Sequence, residues 1–152
     1  MEDRPGSLLD ALRPAIKTGW RALLREVPAV PPGSANLVNS GMLVLMVDHT
    51  LDRLAARLRE PAAADRERHD LSPFAGMSRD CHCGLNLLLG YYEAGARALR
   101  ESVPEELGPA RAEMMDRFNQ LAHDEMLALC NVCHFRNGPQ FNHRPGTGPP
   151  PA

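Results

Sequence analysis

The chain has 152 residues, enough for one domain with a continuous core. Its formal charge of −2 supplies no overall field that would recruit nucleic acid. Leu, Ala and Met dominate the apolar residues while tyrosine occurs only twice, a balance that argues against a sheet and for an all-α fold.

The opening MEDRPGSLLDALRP carries acidic residues and an early proline, so no export leader is expected. No apolar run approaches the roughly 18 residues of a membrane span. The longest, GMLVLMV, stops at Asp48. The expected setting is therefore the cytoplasm, away from membranes, where cysteines serve as ligands, redox thiols or buried apolar groups more often than as disulfides.

A first helix is predicted over 7–27. Leu8, Leu12, Ile16, Leu23 and Val27 recur at helical spacing with Trp20 beside them, and Pro14 is the one residue that opposes it. Arg13, Lys17, Arg21 and Arg25 fall four apart and form a basic stripe, read first as a solvated face and second as a docking surface for an acidic partner. The rigid VPAVPPGS connection follows, with Ser34 as the expected N-cap of a second helix over 35–60. Leu37, Gly41, Val44, Leu45, Leu51, Ala55 and Leu58 form its apolar face, and Pro61 ends it. A charged loop then covers 62–79.

The third helix is predicted over 81–102, with Cys81, Leu85, Leu88, Leu89, Tyr92, Ala96 and Leu99 as its stripe. CGLNLLLGYY is apolar on nearly every side, which suggests a central helix or one that also meets a second copy of the chain. Gly84, Gly90 and Gly95 weaken it, and a closely approaching backbone would explain them. After a turn over 103–109, a fourth helix over 110–133 uses Met115, Phe118, Ala122, Met126 and Leu129. The whole reads as an up-down four-helix bundle over 1–138, followed by a disordered Pro/Gly-rich tail over 139–152.

The cysteines sit at informative places on that layout. Cys81 and Cys83 open the third helix, and Cys130 and Cys133 close the fourth. In an antiparallel hairpin these ends meet, and pairs of thiolates brought together from two elements suit tetrahedral zinc. His82 and His134, next to the pairs, are alternative ligands. The site expected from the sequence is thus a zinc centre of Cys81, Cys83, Cys130 and Cys133 with His82 and His134 in reserve, clamping the last two helices. The alternatives are an iron–sulfur cluster, copper(I) or another transition metal, or a redox enzyme or sensor working through the same thiols. Cys130-Asn131-Val132-Cys133-His134 also matches the short haem-attachment pattern.

Asp48, His49, Asp52, Glu93, His123, Asp124 and Glu125 could together place carboxylates and imidazoles inside the bundle, as a non-haem iron or manganese centre would need. The Glu-x-x-His pairs of dimetal bundles are absent, and so are a phosphate loop, a nucleophile elbow and a His-Glu-x-x-His signature. The function expected is a metal-holding regulatory or partner-binding module, with a protein partner or a homodimer and no role for nucleic acid.

Overall fold

A computed structural model describes the backbone of residues 4–26, 40–66 and 82–137, with side chains over 4–26, 43–64 and 88–129. The described residues form four α-helices and two short 3₁₀ turns, with no strand among them. Helix α1 spans Pro5–Glu26, α2 Ser40–Arg59, α3 His82–Ser102 and α4 Gly108–Asn137. The predicted tail, Ser34 and most of the charged loop lie outside the described residues.

Local chemistry sets the ends. Pro5 occupies the first position of α1, where its missing N–H costs nothing and its fixed φ suits a helix. The amides of Ser7 and Leu8 donate back to the Arg4 carbonyl at 2.9 and 3.1 Å. Pro14 lies inside α1 on an exposed position. The helix runs through it because Leu9 before it and Ile16 and Trp20 after it are all anchored in the core. Pro61 stops α2 as expected and opens the 3₁₀ turn Pro61–Arg66. The link from α3 to α4 is tight. Arg111 donates to the carbonyls of Val103 and Arg100, both at 3.1 Å, which satisfies acceptors that the end of α3 leaves open.

Helix α1 packs against α2 on one side and α3 on the other, and α4 closes the circuit by meeting both α3 and α2. Paired residue numbers run in opposite directions along α1 and α2, from Asp10–Arg59 to Arg21–Asp48. They do so along α3 and α4 as well, from Tyr92–Glu125 to Val103–Arg111.

The core centres on four aromatic rings. Trp20 lies 4.8 Å from Tyr91 and 5.5 Å from Phe118, and Tyr92 lies 5.1 Å from Tyr91 and 5.6 Å from Phe118. These separations and their tilted or edge-on angles are the preferred ones for aromatic pairs. The Trp20 indole N–H donates to the Tyr91 carbonyl at 3.0 Å, so the ring is buried without an unsatisfied donor. Leu9, Ile16 and Leu24 of α1, Val47, Leu51 and Leu54 of α2, Leu88 and Leu99 of α3, and Met114 and Leu121 of α4 surround the rings.

The helices match prediction better than their faces do. Leu8, Leu12 and Leu23 only flank the core, while Leu9 and Leu24 enter it. Leu45, assigned to the apolar face of α2, is 74% exposed. Of the apolar surface of α3 expected to be central or to meet a second copy, the described part is largely consumed within the chain. Leu88, Tyr91, Tyr92 and Leu99 are buried, and Leu89 is the exposed exception among the described side chains of that helix.

Close approach of aromatic side chains, not of the expected backbone, explains one of the weak-propensity glycines. A Cβ on Gly95 would lie 2.5 Å from the Trp20 ring and 2.6 Å from that of Phe118, whereas one on Gly90 would meet nothing within 4 Å. Gly95→Ala is expected to destabilise the fold by about 1–3 kcal/mol through overpacking. Gly90→Ala is expected to be neutral or to stabilise by up to about 1 kcal/mol through helix propensity. Urea denaturation of the two variants checks the contrast.

Candidate functional site

The expected metal centre requires correction. Among the described residues no group of three or more His, Cys, Asp or Glu side chains is placed to hold a metal ion. Cys81 lies outside the described residues. His82 and Cys83 fall on the first turn of α3, and Cys130, Cys133 and His134 on the last turns of α4, with their side chains outside the described set. The absence of such a group among the described residues overturns the expected zinc, iron–sulfur or other transition-metal cofactor, the metal-clamped regulatory module and its redox alternative.

The interior site weighed from carboxylates and imidazoles is dispersed for a physical reason. Its carboxylates are engaged by cations or turned to water, and its imidazoles face solvent. Asp48 is held by α1, Asp124 by Arg57 and Glu125 by Arg53. His123 is 71% exposed at its side chain, and His49 and Glu93 are exposed.

Two polar clusters stand where that site was sought. The first is buried and joins α2, α3 and α4. Arg53 donates to one carboxylate oxygen of Glu125 and the Tyr92 hydroxyl donates to the other. All three are nearly inaccessible, with Glu125 only 2% exposed. One turn along α2, the buried Arg57 reaches Asp124 at 2.9 Å. Thr50 hydrogen-bonds the Tyr91 hydroxyl at 2.6 Å and the Met46 carbonyl at 3.1 Å.

Burial, reinforced by the charge of Glu125, pushes both tyrosine hydroxyls well above their ordinary value. They therefore stay protonated at neutral pH, and Tyr92 serves as a fixed donor to the carboxylate. With the carboxylate paired and solvent excluded, the cluster offers no mobile proton and no access for a substrate. Its contacts join α2 to α4 and α4 to α3 through buried side chains.

The second cluster faces solvent at the junction of α1 and α2. Lys17 Nζ lies 2.6 Å from Asp48 Oδ2, Arg21 Nη2 lies 3.1 Å from the same oxygen, and Arg13 Nη2 lies 3.6 Å from Asp48 Oδ1. Arg13 also reaches Asp52 at 2.7 Å and the Asp48 carbonyl at 3.1 Å. The hydrogen bond from Lys17, together with the charges of Lys17, Arg21 and Arg13, holds the Asp48 carboxyl below its ordinary value against the opposing effect of desolvation. The basic stripe predicted from four-residue spacing is thus real, but its first three members are engaged by α2 rather than freely solvated. Arg25, the fourth, is exposed.

An open groove of about 490 Å³ lies elsewhere, lined by Arg4, Pro5, Glu106, Leu107, Pro109, Ala110 and Glu113. Its lining combines one cation, two carboxylates and apolar groups with no nucleophile, so it suggests no chemistry. Comparison with protein-family models, with curated proteins and with solved structures returns no match.

The buried arginines are the residues that sequence reasoning missed. The run LDRLAARLR repeats an arginine next to a leucine at four-residue spacing, so Arg53 and Arg57 share the face of Leu54 and Leu58. That coincidence is the available signal.

Removing one member of the buried pair strands the other. Glu125→Ala is expected to cost about 3–5 kcal/mol, whereas the double replacement Arg53→Met with Glu125→Leu costs far less. A double-mutant cycle in urea checks this, and simple additivity would contradict it. For Asp48 the sign follows from its depressed value. The stability it contributes is present above the ordinary value of 3.8 and is lost as pH falls through the lower folded-state value. Asp48→Asn is therefore expected to melt lower than the parent at neutral pH and to lose less on acidification below pH 3.8, as read by thermal unfolding across pH.

Proposed function

We propose that this chain is a protein-binding module whose docking surface is the solvent-facing junction of α1 and α2, and that it takes an acidic segment of a partner protein. The observation that carries this reading is the imbalance of charge at the junction. Three cations, Arg13, Lys17 and Arg21, meet two carboxylates, Asp48 and Asp52, and a fourth, Arg25, stands exposed one turn further along α1.

Binding is favoured over catalysis because the one cluster with strongly perturbed hydroxyls is sealed in the core, while the accessible cluster contains only charge and hydrogen-bond donors. We read the four helices as an up-down bundle, a reading supported by the opposed directions of α1 with α2 and α3 with α4. Such a bundle would hold the stripe rigid.

Exposed ion pairs contribute only about 0.2–1 kcal/mol each. The predicted affinity is accordingly modest and sensitive to salt, since the screening length shrinks from about 10 Å at 0.1 M to about 3 Å at 1 M. Fluorescence anisotropy of the full chain with a labelled acidic peptide tests this. The expected result is binding at low ionic strength that weakens steeply with added salt, and weakens again in Lys17→Gln/Arg25→Gln. No binding at low salt, or binding indifferent to both salt and those substitutions, rejects the proposal.

A further inference from the structure

The spacing of the stripe and the way α2 already engages it describe the partner more closely. Arg13, Lys17, Arg21 and Arg25 rise along α1 in steps of about 6 Å and span about 18 Å at 1.5 Å per residue. The carboxylates that meet them, Asp48 and Asp52, are themselves four residues apart on a helix. Within the chain, then, the stripe is read by a helix that presents acids at the same four-residue interval.

That pairing stops short of the C-terminal end of α1. Asp48 is the last acidic residue that α2 presents to the stripe in that direction, and Arg21 is the last cation it receives. In the antiparallel register set by Asp10–Arg59 and Arg21–Asp48, the turn of α2 level with Arg25 includes Val44, packed against the core, and Leu45, three residues before Asp48. Leu45 is the most exposed of the large apolar residues described, at 74% against 52% for Leu127 and 38% for Leu89. By register, an exposed cation and an uncovered leucine therefore fall at the same level of the two helices, one turn past the last ion pair between them.

We infer that the occupant of this surface is an amphipathic α-helix of another protein, carrying Asp or Glu at four-residue spacing and an apolar side chain that covers Leu45. The inference rests on the binding function proposed above and specifies its partner. The acids extend the pattern of Asp48 and Asp52 along the outer flank of the stripe. The apolar residue supplies the burial that ion pairs in water lack, and so gives the contact its register. Matching the stripe takes about 13 residues of helix.

The test uses the full chain and two labelled 18-residue peptides of identical composition. One places Glu at every fourth position with leucine on the adjoining face, and the other scrambles that order. The patterned peptide is expected to bind about tenfold more tightly than the scrambled one, the effect of one partly buried leucine side chain. Leu45→Gln, at an exposed helical position, is expected to remove most of that advantage while leaving the scrambled peptide and the melting temperature unchanged.

Equal affinity for the two peptides, or a patterned-peptide affinity unmoved by Leu45→Gln, overturns the helical partner and leaves the acidic docking surface standing. Failure of both peptides to bind overturns both readings. Tighter binding to duplex DNA than to the patterned peptide assigns the stripe to phosphate backbones and overturns the protein partner.

Discussion

Trp20 is the side chain around which the described helices are arranged, and it has room because residue 95 has no side chain. The indole lies against Tyr91 and Phe118, bonds the Tyr91 carbonyl and occupies the space that a Cβ on Gly95 would take. A well-packed interior tolerates little added volume, so this contact sets how deeply α1 enters between α3 and α4. With α1 fixed about its long axis, the flank bearing Arg13, Lys17 and Arg21 is turned towards α2, where Asp48 receives all three.

The two polar clusters differ in what water does to them. Arg53, Glu125 and Tyr92 are removed from it, so their mutual contacts are strong and their separation is costly. Such a group is closed to solvent, and removing one partner would leave the other buried and unpaired. Arg13, Lys17 and Arg21 remain 28–30% exposed at their side chains, and Asp48 40%. Their contacts are weak enough to exchange for others, which is what a docking surface requires. Burial thus separates a sealed use of charge from the exposed one on which the proposed docking rests.

Thiols and imidazoles at the ends of two helices suggested a metal centre, but no three potential ligands come together among the described residues. The described carboxylates and imidazoles that might have completed or replaced that set are dispersed. Asp124 and Glu125 point at arginines on α2, and His123 points at solvent. Each carboxylate has a cation close by that compensates its charge, which removes the electrostatic incentive for a metal.

The all-helical class, the four helices, the stop at Pro61 and the turn before α4 were legible in the sequence, because proline, glycine and a 3.6-residue period act locally. The basic stripe was legible for the same reason. The rotation of each helix was not. Leu8 and Leu9, or Leu23 and Leu24, satisfy the period equally well, and which of them enters the core depends on where Trp20 fits against another helix. Nor could spacing alone assign Asp48 to three cations 27–35 positions earlier in the chain, or Arg53 to a glutamate 72 positions later. Local sequence determined the elements and the charge each one carries. The tertiary structure decided which charges are buried, which meet and which remain at the surface, because those outcomes are set by packing between helices that no local pattern encodes.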